Sequence, residues 1–188
     1  MKIIETKIQG LLIIEPKVFS DDRGYFYETF QSKRYKDAGI DADFIQDNEA
    51  FSGYGVVRGL HYQLAPYTQA KLVRVIQGIV LDIAVDIRKG SPTFGQWVGI
   101  ELSETNKRQF YVPRGFAHGY SVISKTAIFS YKCDNQYNPQ SERGININDT
   151  SLNLDWKLPV NEMIISSKDT LLPNLEQAEM NFTYGKEI

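Results

Sequence analysis

Short runs of alternating apolar and polar residues cover most of the chain, and Gly, Pro, Asn and Asp separate one run from the next. The runs are rich in Val, Ile, Phe and Tyr, a composition that favours strands over helices. The residues that this pattern predicts as strands are 2–8, 11–16, 24–30, 44–50, 59–63, 71–77, 79–88, 96–102, 108–112, 117–122, 127–133 and 163–166. The alternation is clearest over residues 81–87, where the odd positions are apolar, and it predicts a sheet with one buried face.

Two short helices complete the pattern. Residues 32–38 precede Gly39, which suits the position just after a helix, and residues 175–180 follow Pro173. Many strands at short spacing predict a mainly β fold, either a sandwich or a barrel, and a double-sheet jelly roll with short peripheral helices is preferred. A length of 188 residues is typical of one domain, so residues 1–188 are expected to form a single unit.

The balance of charge and the single cysteine exclude several classes of protein. A net charge of −2 leaves no strongly basic footprint for nucleic acid or for an anionic membrane. Cys133 is the only cysteine, which excludes a disulfide framework within the chain and indicates a reducing compartment. The opening residues contain no apolar signal segment and no run approaches membrane-spanning length, which favours a cytoplasmic protein.

The most informative segment for chemistry is VVRGLHYQLAPYTQAKL at residues 56–72, where His61 lies on a predicted strand between Arg58 and Lys71. Nearby cations disfavour an imidazolium, so the ring stays neutral and is able to act as a base. A neutral base beside a fixed positive charge is the pair that removes a proton next to a carbonyl and stabilises the enolate. A single strand histidine is more often structural, so this segment alone leaves both interpretations open.

A second segment, PRGFAHGY at residues 113–120, strengthens the catalytic interpretation. It contains the other histidine of the chain, His118, again among glycine, arginine and aromatic residues. Such a composition is typical of a binding cleft and not of a solvated surface. Both histidines therefore fall in segments that suit a site.

A metal site is disfavoured by the same residues. Alternation places His61 and Gln63 on one face of the predicted strand, which is the geometry of a two-ligand pair, but glutamine is a poor ligand. Two histidines and one cysteine exclude a site with three nitrogen ligands, so no metal is expected. Lys71 is able to supply the positive charge that a metal would otherwise provide.

Inversion of a stereocentre also requires an acid on the face opposite the base. Tyr131, in an alternating segment, is a candidate because a phenol keeps its proton at neutral pH, although a core tyrosine is the alternative. Arg23, Arg58, Arg114 and Lys168 each lie near glycine or small residues and suggest an anionic ligand such as phosphate. Scattered surface charges are the alternative. The chain has neither a P-loop nor a dinucleotide-binding glycine fingerprint.

Taken together, a set of segments resembles the dTDP-4-dehydrorhamnose 3,5-epimerase family of the cupin superfamily. The segments are DDRGYFYETF (21–30), QDN (46–48), VVRGLHYQ (56–63), QAKLVRVIQG (69–78), DIAVDIRKGSPTFGQW (82–97), VPRGFAHGY (112–120), SYKCDNQY (130–137) and SSKD (166–169). Their order and spacing extend nearly from end to end, which makes the resemblance specific.

The resemblance implies a jelly-roll homodimer that needs no cofactor or metal and acts on a 4-keto-6-deoxyhexose carried on dTDP. The proton-transfer residues that it implies are His61 as the base, Asp169 as its partner, Lys71 as the stabiliser of the enolate and Tyr131 as the acid. Because the ketone acidifies both adjacent carbons, one such set would act at C3 and then at C5. The residues that it implies for holding the nucleotide sugar are Arg23, Glu28, Gln46, Asn48, Arg58, His118, Glu142 and Lys168.

Some features depart from the family's pattern or from strict alternation. Residues 147–150 are INDT where the family usually has Trp and then Asp-Asp-Pro, and Gln136 stands where an aromatic residue is common. Both lie outside the proton-transfer set and concern the packing and choice of the nucleotide. Strict alternation would place Arg58 and His61 on opposite faces, so we expect a bend or bulge at Gly59, or a strand that begins after Arg58.

Three other functions remain open at this level. The nearest is an epimerase that acts at one carbon only, C3 or C5, of a related deoxysugar. A non-catalytic cupin that binds nucleotide sugars is disfavoured, because binding alone does not require His61, Lys71 and Tyr131 together. A metal-dependent cupin is opposed by the missing ligands.

Overall fold

The strands and helices of the computed structural model, which describes residues 1–186, are short and closely spaced. The strands are β1 (Lys2–Glu5), β2 (Leu12–Glu15), β3 (Phe19–Asp21), β4 (Gly24–Phe26), β5 (Gln46–Gly53), β6 (Val56–Gln63), β7 (Lys71–Gln77), β8 (Ile79–Asp86), β9 (Trp97–Ser103), β10 (Gln109–Val112), β11 (Phe116–Val122), β12 (Thr126–Cys133), β13 (Glu142–Gly144) and β14 (Ile164–Ile165). The helices are α1 (Ser32–Asp37) and α2 (Ser167–Thr170), with a 3-10 turn at Val160–Glu162.

Two six-stranded sheets face each other, and from β5 onwards the chain passes repeatedly from one sheet to the other. The first sheet has the order β1-β2-β10-β7-β12-β5, and the second has the order β13-β6-β11-β8-β9 with β14 beside β6. Strand β14 pairs with β6 in parallel, and the other ladders are antiparallel. The fold is therefore the predicted jelly roll.

Apolar side chains from both sheets fill the space between them. Val73 and Phe129 from the first sheet pack there with Val80 from the second. The outer face of the second sheet is covered by the chain that follows β13, including Trp156. Helix α1 contributes Tyr35 to a third cluster at the first sheet. These layers fix the spacing of the two sheets, between which a site can form.

Strand β8 is buried on both faces, so the prediction of a sheet with only one buried face is wrong here. Its odd positions, among them Ile83, pack outward against the covering segment. Its even positions face the space between the sheets, and two of them, Asp82 and Asp86, are fully buried. The polar positions of the alternating pattern therefore mark the interior of the jelly roll and not a solvated face.

The first predicted helix is confirmed as α1, and Gly39 follows its end with a φ of +86°. The second, over residues 175–180, is wrong. Two successive N–H groups donate to the Asn174 carbonyl and a single turn forms, which does not continue as a helix. The apolar residues of this segment pack against the second sheet instead. The pattern also misses β3, β13 and α2, which have at most four residues each.

Most predicted strands are confirmed to within a few residues at their ends. The strand predicted over residues 24–30 ends at Phe26, because Phe30 turns away and packs on Tyr35 with 4.9 Å between the ring centroids. The last predicted strand shortens to Ile164–Ile165.

Strand β6 contains one more residue than the matching stretch of β11. His61 pairs with His118, and Arg58 pairs with Tyr120, so three steps along β6 match two along β11. The expected bulge at Gly59 is therefore confirmed, and it turns Arg58 to the same face as His61. A strand that begins after Arg58 is excluded, since β6 begins at Val56.

The bulge lies where β6 and β11 approach each other closely. Gly59 has a φ of +129°, and a Cβ added to it would lie 2.6 Å from the Gly119 Cα and 2.9 Å from the His118 carbonyl oxygen. A Cβ added to Gly119 would lie 2.6 Å from the Arg58 carbonyl oxygen. Both positions therefore need glycine, which lets two backbones meet and brings the two histidines side by side.

Replacement of Gly59 by alanine should destabilise the protein more than the same change at Gly90. Gly90 also has a positive φ, of +81°, but no atom lies within 4 Å of an added Cβ. We expect Gly90→Ala to cost about 1–2 kcal/mol from backbone strain alone, and Gly59→Ala to cost roughly 3 kcal/mol or more because the new methyl group meets backbone. Urea unfolding of both variants measures the difference. Equal costs would contradict the importance of the close approach.

Candidate active site

A cavity of about 500 Å³ lies between the two sheets, and a smaller lobe of about 240 Å³ adjoins it. His61, Lys71 and Tyr131 line both lobes, so the two form one site. The predicted site residues in the larger lobe are Arg58, His61, Lys71, His118, Tyr131, Lys168 and Asp169. The smaller lobe adds Gln46, Asn48 and Glu142.

His61 and Asp169 form a hydrogen-bonded pair on the wall made by the second sheet. His61 Nε2 lies 2.8 Å from Asp169 Oδ1, although 108 residues separate them in sequence. Burial by itself would raise the pKa of Asp169, but the hydrogen bond from His61 and the electrostatic interaction with that ring hold the pKa below its usual value. An ionised carboxylate only accepts hydrogen bonds, so Nε2 carries the ring proton and Nδ1 is left as the basic nitrogen.

A short capped helix positions Asp169. Strand β14 docks in parallel on β6 next to Val56 and Val57, and α2 begins directly after it. The Ser166 hydroxyl accepts a hydrogen bond of 3.1 Å from the Asp169 N–H, which caps the helix. The Asp169 side chain is only 5% exposed. It is thus both a residue of the first helical turn and a member of the site.

Lys71 lies on β7 in the first sheet, across the cavity from the strand that carries His61. Burial lowers the pKa of its ammonium group, and neighbouring acidic groups, including Asp82 and Glu142, oppose that change. Within residues 1–186 the ammonium group makes no hydrogen bond and no ion pair. A partly buried cation with free donors is suited to stabilise an anionic oxygen in the cavity.

Tyr131 lies on β12, next to β7 in the same sheet. Its partner in the ladder is Val73, two residues from Lys71, so the two side chains point into the cavity from one wall. Burial raises the pKa of Tyr131 to about 12. Its hydroxyl makes no hydrogen bond within the described part of the chain, which leaves the proton available to a ligand.

Charged and polar groups surround the rim of the smaller lobe. Lys168 donates to Glu142 at 2.5 Å, and the Tyr137 hydroxyl donates to the same carboxylate at 3.0 Å. Burial would raise the pKa of Glu142, but these two hydrogen bonds and the charge of Lys168 hold it below its usual value. Lys168 itself is largely exposed, so its ammonium group is accessible to an anionic ligand at the rim.

Two further predicted residues are fixed by buried partners. Arg58 Nε donates to the Ser52 hydroxyl at 3.2 Å. His118 Nε2 lies 2.8 Å and 3.0 Å from the two carboxylate oxygens of Asp82. Both residues line the larger lobe of the cavity.

Arg23 and Glu28 are not on the cavity within one chain. Arg23 lies at the turn of the β3–β4 hairpin, where its side chain is 89% exposed and pairs with Asp21 at 2.5 Å. Glu28 forms an ion pair of 2.9 Å with Arg34.

Several residues of the cavity were not predicted as site residues. Phe129 and Tyr120 stack between the sheets with 4.1 Å between ring centroids, and both line the larger lobe. Tyr137 lines the smaller lobe. The alternation of Phe129 with Tyr131, and of His118 with Tyr120, was the signal that could have identified the first two.

Among residues 1–186, no three His, Cys, Asp or Glu side chains are grouped as a metal ion would require. Over the same residues, no helix combines the length and the apolar composition that crossing a bilayer demands.

The family model described as dTDP-4-dehydrorhamnose 3,5-epimerase matches residues 5–177. The chain belongs to the dTDP-4-dehydrorhamnose 3,5-epimerase family. Its fold is the cupin-type jelly roll of this family, and the protein is an epimerase, as predicted.

Individual relatives of this epimerase match over almost their whole length. The dTDP-4-dehydrorhamnose 3,5-epimerase of Shigella flexneri is 54% identical over 170 residues, which is 90% of this chain and 93% of the relative. The enzyme of the same name from Elizabethkingia anophelis has a crystal structure that matches with a TM-score of 0.90 at 52% identity, over 94% of this chain and 97% of that one. A dTDP-6-deoxy-D-glucose-3,5-epimerase from Legionella pneumophila, solved in complex with dTDP-4-keto-L-rhamnose, matches with a TM-score of 0.90 at 53% identity, over 94% and 93% of the two chains.

Replacement of Asp169 by asparagine should reduce stability at neutral pH and not in acid. A carboxyl whose pKa is lower in the folded state stabilises the fold above its unfolded pKa of about 4, and this contribution is lost as the pH falls through the folded value. Urea unfolding from pH 7 to pH 3 should show a difference between wild type and Asp169→Asn that shrinks below about pH 4. The exposed Asp22→Asn is the control, for which no such difference is expected. A difference that grows in acid would contradict the ionised Asp169 carboxylate.

Proposed function

We propose that the protein epimerises dTDP-4-dehydro-6-deoxy-D-glucose at C3 and at C5 to give dTDP-4-dehydro-L-rhamnose. The observation that supports this most strongly is the position of two proton-transfer groups on facing walls of one cavity. His61 belongs to the second sheet and Tyr131 to the first. A sugar ring between them would present one face to a base and the other face to an acid, which inversion at carbon requires.

In the proposed reaction, His61 removes a proton from the carbon next to the ketone. The C–H electron pair moves into the carbonyl group and forms an enolate, and the proton goes to His61 Nδ1. The carboxylate of Asp169 stabilises the resulting imidazolium through its hydrogen bond of 2.8 Å to Nε2. The Lys71 ammonium group stabilises the negative charge on the enolate oxygen.

Tyr131 then donates its hydroxyl proton to the same carbon from the opposite face. The enolate electrons form the new C–H bond, and the carbonyl group returns. Tyrosine suits this step because a pKa of about 12 keeps the phenol protonated at neutral pH, while an enolate carbon is basic enough to take the proton. Proton exchange with solvent returns His61 and Tyr131 to their starting states. The same ketone activates C3 and C5, so two rounds with one set of residues complete the reaction.

The remaining predicted residues hold the nucleotide part of the substrate in this proposal. Arg58 and Lys168 supply positive charge for the diphosphate, because both line the larger lobe and are cationic. Gln46, Asn48 and Glu142 line the smaller lobe and offer amide and carboxylate groups to the nucleoside. The Legionella relative, which was solved with a dTDP-linked keto sugar, supports a ligand of this class.

We also propose that the protein is a homodimer in which Arg23 and Glu28 act on the partner's cavity. All residues of β3 and β4 are exposed, including Phe19 and Phe26 at 53% and 71%. Exposed aromatic rings of this kind on a hairpin are typical of a contact surface. A two-fold dimer would bury this hairpin against the second copy and carry Arg23 toward a phosphate there.

The direct test supplies dTDP-4-keto-6-deoxyglucose in heavy water and follows deuterium at C3 and C5 by NMR. A rhamnose-forming reductase with NADPH then reports the epimerised product. Two deuterium atoms and NADPH consumption are expected. Incorporation at one carbon only would identify a single-carbon epimerase, and no incorporation with retained binding would identify a non-catalytic binding protein.

The separate roles of the base and the acid predict different defects. His61→Ala should lower deuterium incorporation and product formation together, by about 10²–10⁴-fold, because both require proton removal. Tyr131→Phe should keep incorporation at one or both carbons and lose most of the inverted product. A Tyr54→Phe variant is the control, since it removes an exposed hydroxyl that donates to Glu162 and lies outside both lobes. Inversion by Tyr131→Phe at the wild-type rate would remove Tyr131 from the mechanism.

Mixing two variants that the proposal makes inactive tests whether the protein is a dimer. The same experiment tests whether Arg23 acts on the site of its own chain or on that of the partner. After exchange of subunits between Arg23→Ala and His61→Ala, a mixed dimer has one site with both changes and one site with neither, provided that Arg23 acts on the partner's site. About one quarter of the wild-type activity should return in an equal mixture, since half of the dimers are mixed and each has one intact site. Light scattering measures the assembly. If Arg23 acts within its own chain, no activity returns.

A further inference from the structure

A second histidine–aspartate pair stands directly beside the first. His118 on β11 is the ladder partner of His61 on β6, so the two imidazoles lie side by side on one wall of the cavity. Asp82 on β8 holds His118 as Asp169 holds His61, with 2.8 Å between His118 Nε2 and Asp82 Oδ1. The catalytic scheme above uses the first pair and gives Asp82 no role.

The Asp82 carboxylate is buried, and its charge therefore requires a compensating partner. Its side chain is 0% exposed, and His118 is the only side chain in the described part of the chain that hydrogen-bonds to its carboxylate. An ionised carboxylate taken out of water is costly unless a cation compensates it. A His118 ring that carries protons on both nitrogens supplies such a cation, and its Nε2–H then donates to Asp82.

His118 also lines the larger lobe of the cavity. Since Nε2 is committed to Asp82, only Nδ1 is available to a molecule in the cavity, and it makes no hydrogen bond within residues 1–186. Lys71 lines the same lobe from the first sheet, and the charge of Asp82 also acts on it. A sugar oxygen at this position would therefore lie between Lys71 of the first sheet and His118 of the second.

We propose that Asp82 is a positioning residue for the reaction: its carboxylate keeps His118 doubly protonated, so that Nδ1–H donates a hydrogen bond to the developing enolate oxygen together with Lys71. This role rests on the proposed epimerase function. The two pairs then have different functions: His61–Asp169 accepts a proton, and His118–Asp82 stabilises the negative charge on the enolate oxygen.

The Asp82→Asn variant removes the negative charge of the carboxylate and keeps the shape of the side chain. The Asn side chain has the size of Asp and still accepts from His118 Nε2–H, so the ring stays in place. Without the negative charge, His118 becomes neutral and its Nδ1 becomes an acceptor, which repels an enolate oxygen instead of donating to it. The effect should therefore appear in turnover and not in substrate binding.

Kinetics of Asp82→Asn give the first test. We expect kcat to fall by about 10²-fold, as for the loss of one donor to an oxyanion, with KM changed less than about threefold. The double variant Asp82→Asn/His118→Ala should be no slower than His118→Ala alone, since Asp82 acts through His118. Asp86→Asn, an equally buried carboxylate on the same strand that does not line the cavity, should lower the melting temperature without this loss of kcat. A kcat within twofold of wild type, or multiplicative effects in the double variant, would overturn the proposal.

The histidine rings give a second test that needs no substrate. The chain has only two histidines, so ¹⁵N-histidine NMR shows two sets of ring signals, which His61→Asn assigns. In the wild type at pH 7, both nitrogens of His118 should carry protons, and in Asp82→Asn only one should. A neutral His118 in the wild type overturns the proposal even if Asp82→Asn does not fold. Because this measurement is independent of activity, it also separates a failure of the Asp82 role from a failure of the proposed epimerase function.

Discussion

The contact between the backbones of Gly59 and Gly119 is the constraint on which the rest of the site depends. It allows one extra residue in β6, and that residue turns Arg58 and His61 to the same face of the strand. It also sets the two histidines side by side. A regular ladder would have sent the arginine to the outer face of the second sheet, where the covering segment packs. The arrangement of the side chains in the cavity therefore depends on two glycines.

The fold could be predicted to a large extent because the jelly roll is built from local alternation. Strand β7 is predicted to the residue, and α1 is recognisable from the glycine that follows it. The failures occur where long-range contacts decide the conformation. The segment after Pro173 has apolar residues that suit a helix, but contacts with the second sheet hold it as a turn. Strand β8 looks like a half-exposed strand, yet Asp82 is fully buried beside His118, a partner 36 residues away that the local pattern does not reveal.

The site could be predicted as a set of residues but not as a geometry. Residue types and spacing singled out His61 and His118, and the resemblance to the family added Asp169, which sequence separation alone could not bring near His61. The sequence did not reveal that His61 would lie on the second sheet, while Lys71 and Tyr131 face it from the first. It also gave no sign that Arg23 would stand on an exposed hairpin, because exposure of a short strand depends on what the rest of the chain fails to cover.

The stacked rings of Phe129 and Tyr120 have a consequence for the way such an enzyme can change. They bridge the sheets with 4.1 Å between their centroids, and Phe129 is also the neighbour of Tyr131, at 5.8 Å. The gap between the proposed proton acceptor, His61, and the proposed proton donor, Tyr131, is therefore a property of the packed core and not of either side chain. A change of volume in this layer shifts one wall against the other while every reacting group stays the same. Stereochemical outcome can thus drift during evolution through ordinary core substitutions, which comparison of catalytic residues alone would overlook.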